Sequence, residues 1–306
     1  MTQASTRQPA GDRELLSPQF MQQLDRLDVL SRKILAGKLQ GERRSKKRGQ
    51  SVEFADYRQY VVGDDLRFID WNLYARLDRL FLRLFLEEED LSVSVLLDVS
   101  PSMDSGDPNK LRYGRQLAAA LGYIGLVNYN RVSAFTFCED MLASQRHLRG
   151  RRPLPQLLGM LGSARGEGAG NLTNVLRRFS LLQQQKGVVI VISDFLDKGD
   201  VTDALRYLAG DRFDVYVIQL LSPQEVDPAK GNIVGDLRLR DLEDADIAEV
   251  SVTPALVKRY KANLQAYCNF IREQCVRRDI AYMISDTSVP FETLVLRYLR
   301  ERGLLG

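Results

Sequence analysis

"LLDVSPSM", residues 96–103, ends an apolar run on an aspartate and then sets a serine at every second position: Asp98, Ser100, Ser102. Leu91, Val93, Val95, Leu96 and Leu97 precede it, the pattern of a strand covered on both faces. Pro101 stands between the serines. A buried strand needs no carboxylate and two hydroxyls at its end, so the cluster points to a ligand.

Working outward, the chain alternates. Strands are expected at 91–98, 131–138, 187–193, 214–221 and 280–284. Helices are expected at about 110–128, 153–162, 172–185, 201–209, 254–278 and 290–302. "DLRLRDLEDADIAEVSV", 236–252, reads as two strands around an acidic turn. The Thr253-Pro254 pair is a helix start. This order predicts an α/β fold: a mostly parallel, doubly wound, Rossmann-like sheet with helices on both faces. Ligands of such sheets lie at the carboxyl ends of the strands.

A second buried run, "VVIVIS", ends on Asp194 and so brings a carboxylate to the same sheet edge. The glycine-flanked loop "GAGNLTNVL" carries Thr173 before a helix. Asp98, Ser100, Ser102, Thr173 and Asp194 together form an all-oxygen donor set suited to Mg²⁺ or Mn²⁺. Each has an ordinary alternative, since Asp at a strand end makes turns and Thr before a helix makes caps. All five in matching places favour a metal site.

The first ninety residues read differently. A Ser-Pro start and a stop at Gly37 bound a helix over 17–37, with Phe20, Leu24, Leu27, Leu30, Ile34 and Leu35 on one stripe. Residues 1–13 read as a tail, and "ERRSKKRGQ", 42–50, as a basic run. Residues 51–90 mix aromatics and charges into a small irregular β segment. Its Gly63-Asp64-Asp65 turn and Trp71 have a packing explanation, with Trp71 in a core and Arg58, Arg67 and Arg76 paired with Asp64, Asp65 and Asp70. The alternative is a binding surface. Two domains are expected: 1–90, packed on the body, and 91–306 carrying the metal site.

Composition sets outer limits. The 306 residues are 44% apolar and 27% charged with a formal charge of +3, which describes an ordinary globular chain. Cys138, Cys268 and Cys275 make neither a disulfide framework nor a zinc site, and the latter two read as core. "LAAALGYIGLV", 117–127, is too short for a membrane span and reads as a buried helix. With no apolar signal-peptide core in the first twenty residues, a cytoplasmic location is expected.

The pattern Asp98-Val99-Ser100-Pro101-Ser102, Thr173, Asp194 resembles the metal-ion-dependent adhesion site of von Willebrand factor A domains. That resemblance implies hydroxyls on the metal, aspartates acting partly through water, and an acidic side chain of a partner completing the shell. Arg48-Gly49, Glu53-Phe54, Arg58-Gln59-Tyr60, Gly63-Asp64-Asp65, Ile69-Asp70-Trp71 and Ala75-Arg76 are similar to the bacterial family called domain of unknown function 58. This second resemblance implies an A-type body and a MoxR-type AAA+ ATPase as partner, hence an adaptor and not an enzyme. Gly170-Asn171-Leu172-Thr173-Asn174 departs from that family's Gly-Gly-Thr-Asp, which lowers the charge at the site.

Two rivals remain. A Mg²⁺-dependent phosphohydrolase would need a second Asp two residues after Asp98, and Ser100 stands there. A serine hydrolase would need a base, yet the one histidine, His147, falls in a basic loop without a nucleophile elbow. Nucleic-acid binding is suggested by "RRSKKRG" and "RHLRGRR", short basic runs balanced by acids elsewhere. No nucleic acid is the expectation.

Overall fold

The computed structural model describes residues 15–29, 53–62, 64–86, 91–166, 168–197, 199–228, 235–240, 247–301 and 303–306. The chain forms two compact units, one of residues 37–90 and one of the remainder. The tail at 1–13 and the basic run at 42–50 lie outside the described residues, as does 30–37 of the first expected helix.

The smaller unit pairs β1 (Glu53–Gln59) antiparallel with β2 (Phe81–Leu86). Between them runs a short helix, Trp71–Leu77, capped by Asp70, whose carboxylate accepts from the N–H of Asn72 and Leu73 and from Tyr57 Oη. Arg58 pairs with Asp64 at 2.7 Å and Arg67 with Asp65 at 2.5 Å. Trp71 is not core: it is 61% exposed at the first turn of its helix, edge-on to Tyr74. Helix Trp71–Leu77 buries none of its residues, so the indole at its first position has no core to enter among the described residues.

The larger unit holds a six-stranded sheet. Its strands are β3 (Ser92–Asp98), β4 (Arg131–Phe137), β5 (Met141–Leu148), β6 (Gly187–Ser193), β7 (Phe213–Leu221) and β10 (Ala281–Asp286), in the spatial order β10-β7-β6-β3-β4-β5. All neighbours are parallel except β4 and β5. A separate hairpin pairs β8 (Gly235–Arg240) with β9 (Ile247–Val252). β3, β6 and β7 are buried along their whole length, which is why they read as unbroken apolar runs.

Side-chain alternation divides the core into two layers. Val93, Val95 and Leu97 of β3 and Val188, Ile190 and Ile192 of β6 face one layer, which holds helix Lys110–Val127, helix Leu154–Ser163 and the C-terminal turns from Phe291. Leu96, Val189, Val191, Val215 and Val217 face the other, which holds helix Leu172–Leu182, helix Val201–Arg206 and the inner stripe of helix Pro254–Val276. Cys268 and Cys275 are buried on that stripe.

Four sequence expectations shift. The first helix runs only Pro18–Leu24, and its Phe20 and Leu24, with Leu16, Leu27 and Val29, enter the core of the larger unit. β5 is an additional strand, polar and at the sheet edge, where no apolar alternation marks it. His147 is therefore in a strand and not a loop, with its N–H donating to Ser133 Oγ. Thr173 is inside its helix, since Asn171 is the cap.

Candidate metal centre

Chain order reverses between β3 and β6. The connection from β3 passes through helix Lys110–Val127 to β4 on one side, while β6 and β7 continue on the other. The crevice outside the carboxyl ends of β3 and β6 is the ligand position of such a sheet. Asp98 ends β3, and Asp194 follows β6 directly.

The Asp98 turn folds on itself. The N–H of Ser100 donates to Asp98 Oδ1 at 2.9 Å, Ser193 Oγ donates to Asp98 Oδ2 at 2.6 Å, and the hydroxyls of Ser100 and Ser102 are 3.0 Å apart. Asp98 and Ser100 are buried. Burial, and then the charge of Asp194, push the Asp98 carboxyl up to about 7, against the pull of its donors. Two carboxylates thus share one end of the sheet at a cost that a cation would relieve.

Asp194 is held on every side. Leu196 N–H donates to its Oδ1, and Gln219 Nε2 donates to its carbonyl at 2.8 Å, while Gln219 Oε1 accepts from Tyr282 Oη. Lys110 Nζ pairs with Asp194 Oδ2 at 2.7 Å and with Glu225 Oε1 at 2.5 Å, and the lysine is fully buried. The next residue, Phe195, takes φ +57°, a strained conformation for a bulky side chain. Its N–H is bonded to Ser193 Oγ and its carbonyl to Tyr267 Oη.

Thr173 shares no hydrogen bond with the other four candidates among the described residues. Its hydroxyl donates to the Asp200 carbonyl at 3.3 Å. Its link to the cluster is Asp197, whose Oδ2 accepts from Leu172 N–H and whose carboxyl is raised by burial and then, against the pull of that N–H, by Asp194. Asp197 Oδ1 is buried without a hydrogen-bond partner among the described residues. A Cβ on Gly199 would stand 2.9 Å from Asp197 Oδ2 and 3.8 Å from Thr173 Oγ1, so the two side chains border one small space.

These residues fit a hard cation. Among the described residues no three His, Cys, Asp or Glu side chains group to hold a metal, so any such ion depends on hydroxyls, and Ser100 and Ser102 present them beside Asp98. Sequence reasoning missed Lys110, Ser193, Asp197, Gln219 and Glu225. Only Ser193 and Asp197, flanking Asp194 in "SDFLD", had a local signal.

The family model of the protein of unknown function DUF58 matches residues 56–270. The chain belongs to the DUF58 family. Uncharacterized protein Rv1480 of Mycobacterium tuberculosis and Uncharacterized protein Mb1516 of Mycobacterium bovis are each 26% identical over 305 residues, covering 94% of this chain and 92% of the relative. A solved structure of an aerotolerance-related membrane protein from Bacteroides fragilis, with multiple mutations to serines, matches with a TM-score of 0.42 at 14% identity. That match covers 69% of this chain and 99% of the other. In this DUF58 chain no helix among the described residues is long and apolar enough to cross a membrane.

Proposed function

We propose that this DUF58 protein is a non-enzymatic, metal-dependent protein-binding adaptor whose larger unit is of von Willebrand factor A type and whose partner is a MoxR-type AAA+ ATPase. The observation that carries this reading is the Asp98–Ser100–Ser102 turn, a set of oxygen donors next to Asp194 at the strand crossover. Ser100, Ser102 and Asp98 would hold Mg²⁺ or Mn²⁺, with Asp194 and Thr173 in outer positions. Asp194 suits the outer role because Lys110 already engages it.

When bound, the ion supplies an electrophilic site that accepts a carboxylate from the partner. The chain's own residues orient and charge-balance that site. Ser193 and the Ser100 N–H fix the Asp98 carboxylate, while Lys110 and Gln219 fix Asp194. Ser100 stands where a phosphohydrolase of the haloacid-dehalogenase kind has its acid, which favours binding over turnover. Calorimetry with Mg²⁺ and Mn²⁺ on the wild type and Asp98→Ala tests the site. A pull-down of the ATPase with Mg²⁺, with EDTA and with the variant tests the bridge. Capture is expected only from wild type with Mg²⁺, and equal recovery in all three lanes would sink the reading.

A further inference from the structure

A cavity of about 220 Å³ in the larger unit is lined by Asp104, Asn109, Arg112, Arg115 and Arg165. Three guanidiniums face one carboxylate, and Asp104 is already engaged by Asn109 Nδ2 at 3.0 Å. Arg112 and Arg115 are three apart on helix Lys110–Val127 and share a face. Arg115 is buried, with Nη2 donating to the Ala164 carbonyl. Neither Arg112 nor Arg165 forms a salt bridge among the described residues.

The cavity adjoins the Asp98 turn through the backbone. Gly166 N–H donates to the Val99 carbonyl at 2.9 Å, so Arg165 is tied to the residue between Asp98 and Ser100. A Cβ at Gly166 would come within 2.5 Å of that carbonyl, so only glycine allows the approach. On the other side, Asp104 lies two residues beyond Ser102, and Ser105 Oγ donates to the Ser102 carbonyl.

We infer that this cavity is an oxyanion pocket that receives a second acidic side chain of the partner peptide, next to the one bound at the cation. The inference rests on the adaptor reading for its ligand, but its chemistry is independent of the ion. A volume of about 220 Å³ is below the range of about 300–1,000 Å³ typical of small-molecule pockets and suits a side-chain carboxylate. Guanidinium forks bind carboxylates in bidentate fashion, and a partly buried arginine is stabilised by such an anion. Two acidic groups of one segment then engage two adjacent sites, which raises specificity for acidic loops over isolated carboxylates.

The test uses a capped, fluorescent tetra-glutamate peptide and the full chain, read by anisotropy in EDTA and in Mg²⁺. In EDTA the wild type is expected to bind the peptide. Arg112→Gln with Arg165→Gln should weaken binding at least tenfold, and Arg165→Glu should weaken it further. Affinity should fall as salt rises. Equal binding of wild type and the arginine variants in EDTA would overturn the pocket. Inorganic phosphate that binds tenfold more tightly than the peptide would overturn the carboxylate assignment. A pocket that holds in EDTA with no gain from Mg²⁺ would sustain this inference and sink the metal bridge alone.

Discussion

At the scale of single residues, Asp98 and Lys110 carry opposite electrostatic burdens. Burial, and then the charge of Asp194, raise the Asp98 carboxyl from the ordinary 3.8 to about 7. Between those values the folded chain keeps a proton that the unfolded chain has lost. Its contribution to stability is therefore full below about pH 4 and is lost as pH rises to about 7. In EDTA the unfolding midpoint should fall across that window, and Asp98→Asn should flatten the fall. A wild-type profile that matches the variant would refute the shift. Because an ion favours the ionised carboxylate, Mg²⁺ binding near pH 6 should release protons. Its calorimetric enthalpy should therefore vary with the buffer's ionisation enthalpy in wild type and not in Asp98→Asn. Lys110→Met removes the cation that bridges Asp194 and Glu225 in a buried site, a loss that costs about 3–5 kcal/mol. Denaturant titration should record that loss, and added Mg²⁺ should recover part of it. No recovery would separate the lysine from the cation site.

At the scale of elements, legibility followed burial. β3, β6 and β7 are covered on both faces, so their apolar runs and terminal aspartates could be read without structure. β5 could not, because an edge strand with polar side chains lacks both the run and the alternation. Asp98, Ser100, Ser102 and Asp194 were legible because each follows a readable strand. Lys110 was not, since 84 residues separate it from Asp194 and 115 from Glu225. Helix Pro18–Leu24 was legible in existence but not in length. Its stripe could be read, while tertiary packing set where it stops. Phe20 stacks edge-on against Phe291 at 5.1 Å, and Tyr123 Oη donates to Asp25 at 2.7 Å. Phe20→Ala should therefore cost about 3–5 kcal/mol in denaturant unfolding. A change below about 1 kcal/mol would mean the helix is not a fixed part of that core.

At the scale of the whole molecule, the question is which pieces fold as one. The sequence suggested a cut at residue 90, with the helix grouped among the first ninety residues. The compact units divide otherwise: residues 15–29 share the core of 91–306, while 37–90 form their own unit. A chain beginning at residue 91 loses Leu16, Phe20, Leu24, Leu27 and Val29 from the layer beneath helix Lys110–Val127 and exposes Phe291 and Leu305. Asn128 Nδ2 also loses one of its two acceptors, the Leu27 carbonyl at 2.6 Å, and keeps the Ile124 carbonyl. That chain should be poorly soluble or melt without cooperativity. A chain that keeps residues 1–36 and replaces 37–90 with a glycine-serine linker of equal length retains every one of these contacts. It should unfold in a single transition and bind Mg²⁺ as the full chain does, because Asp98, Ser100, Ser102 and Asp194 all belong to the larger unit. Differential scanning calorimetry of these two altered chains, with a Mg²⁺ titration of the second, decides the matter. A cooperative transition in the chain from residue 91 would show that the helix is dispensable. Loss of the transition in the linker chain would show that residues 37–90 stabilise the body.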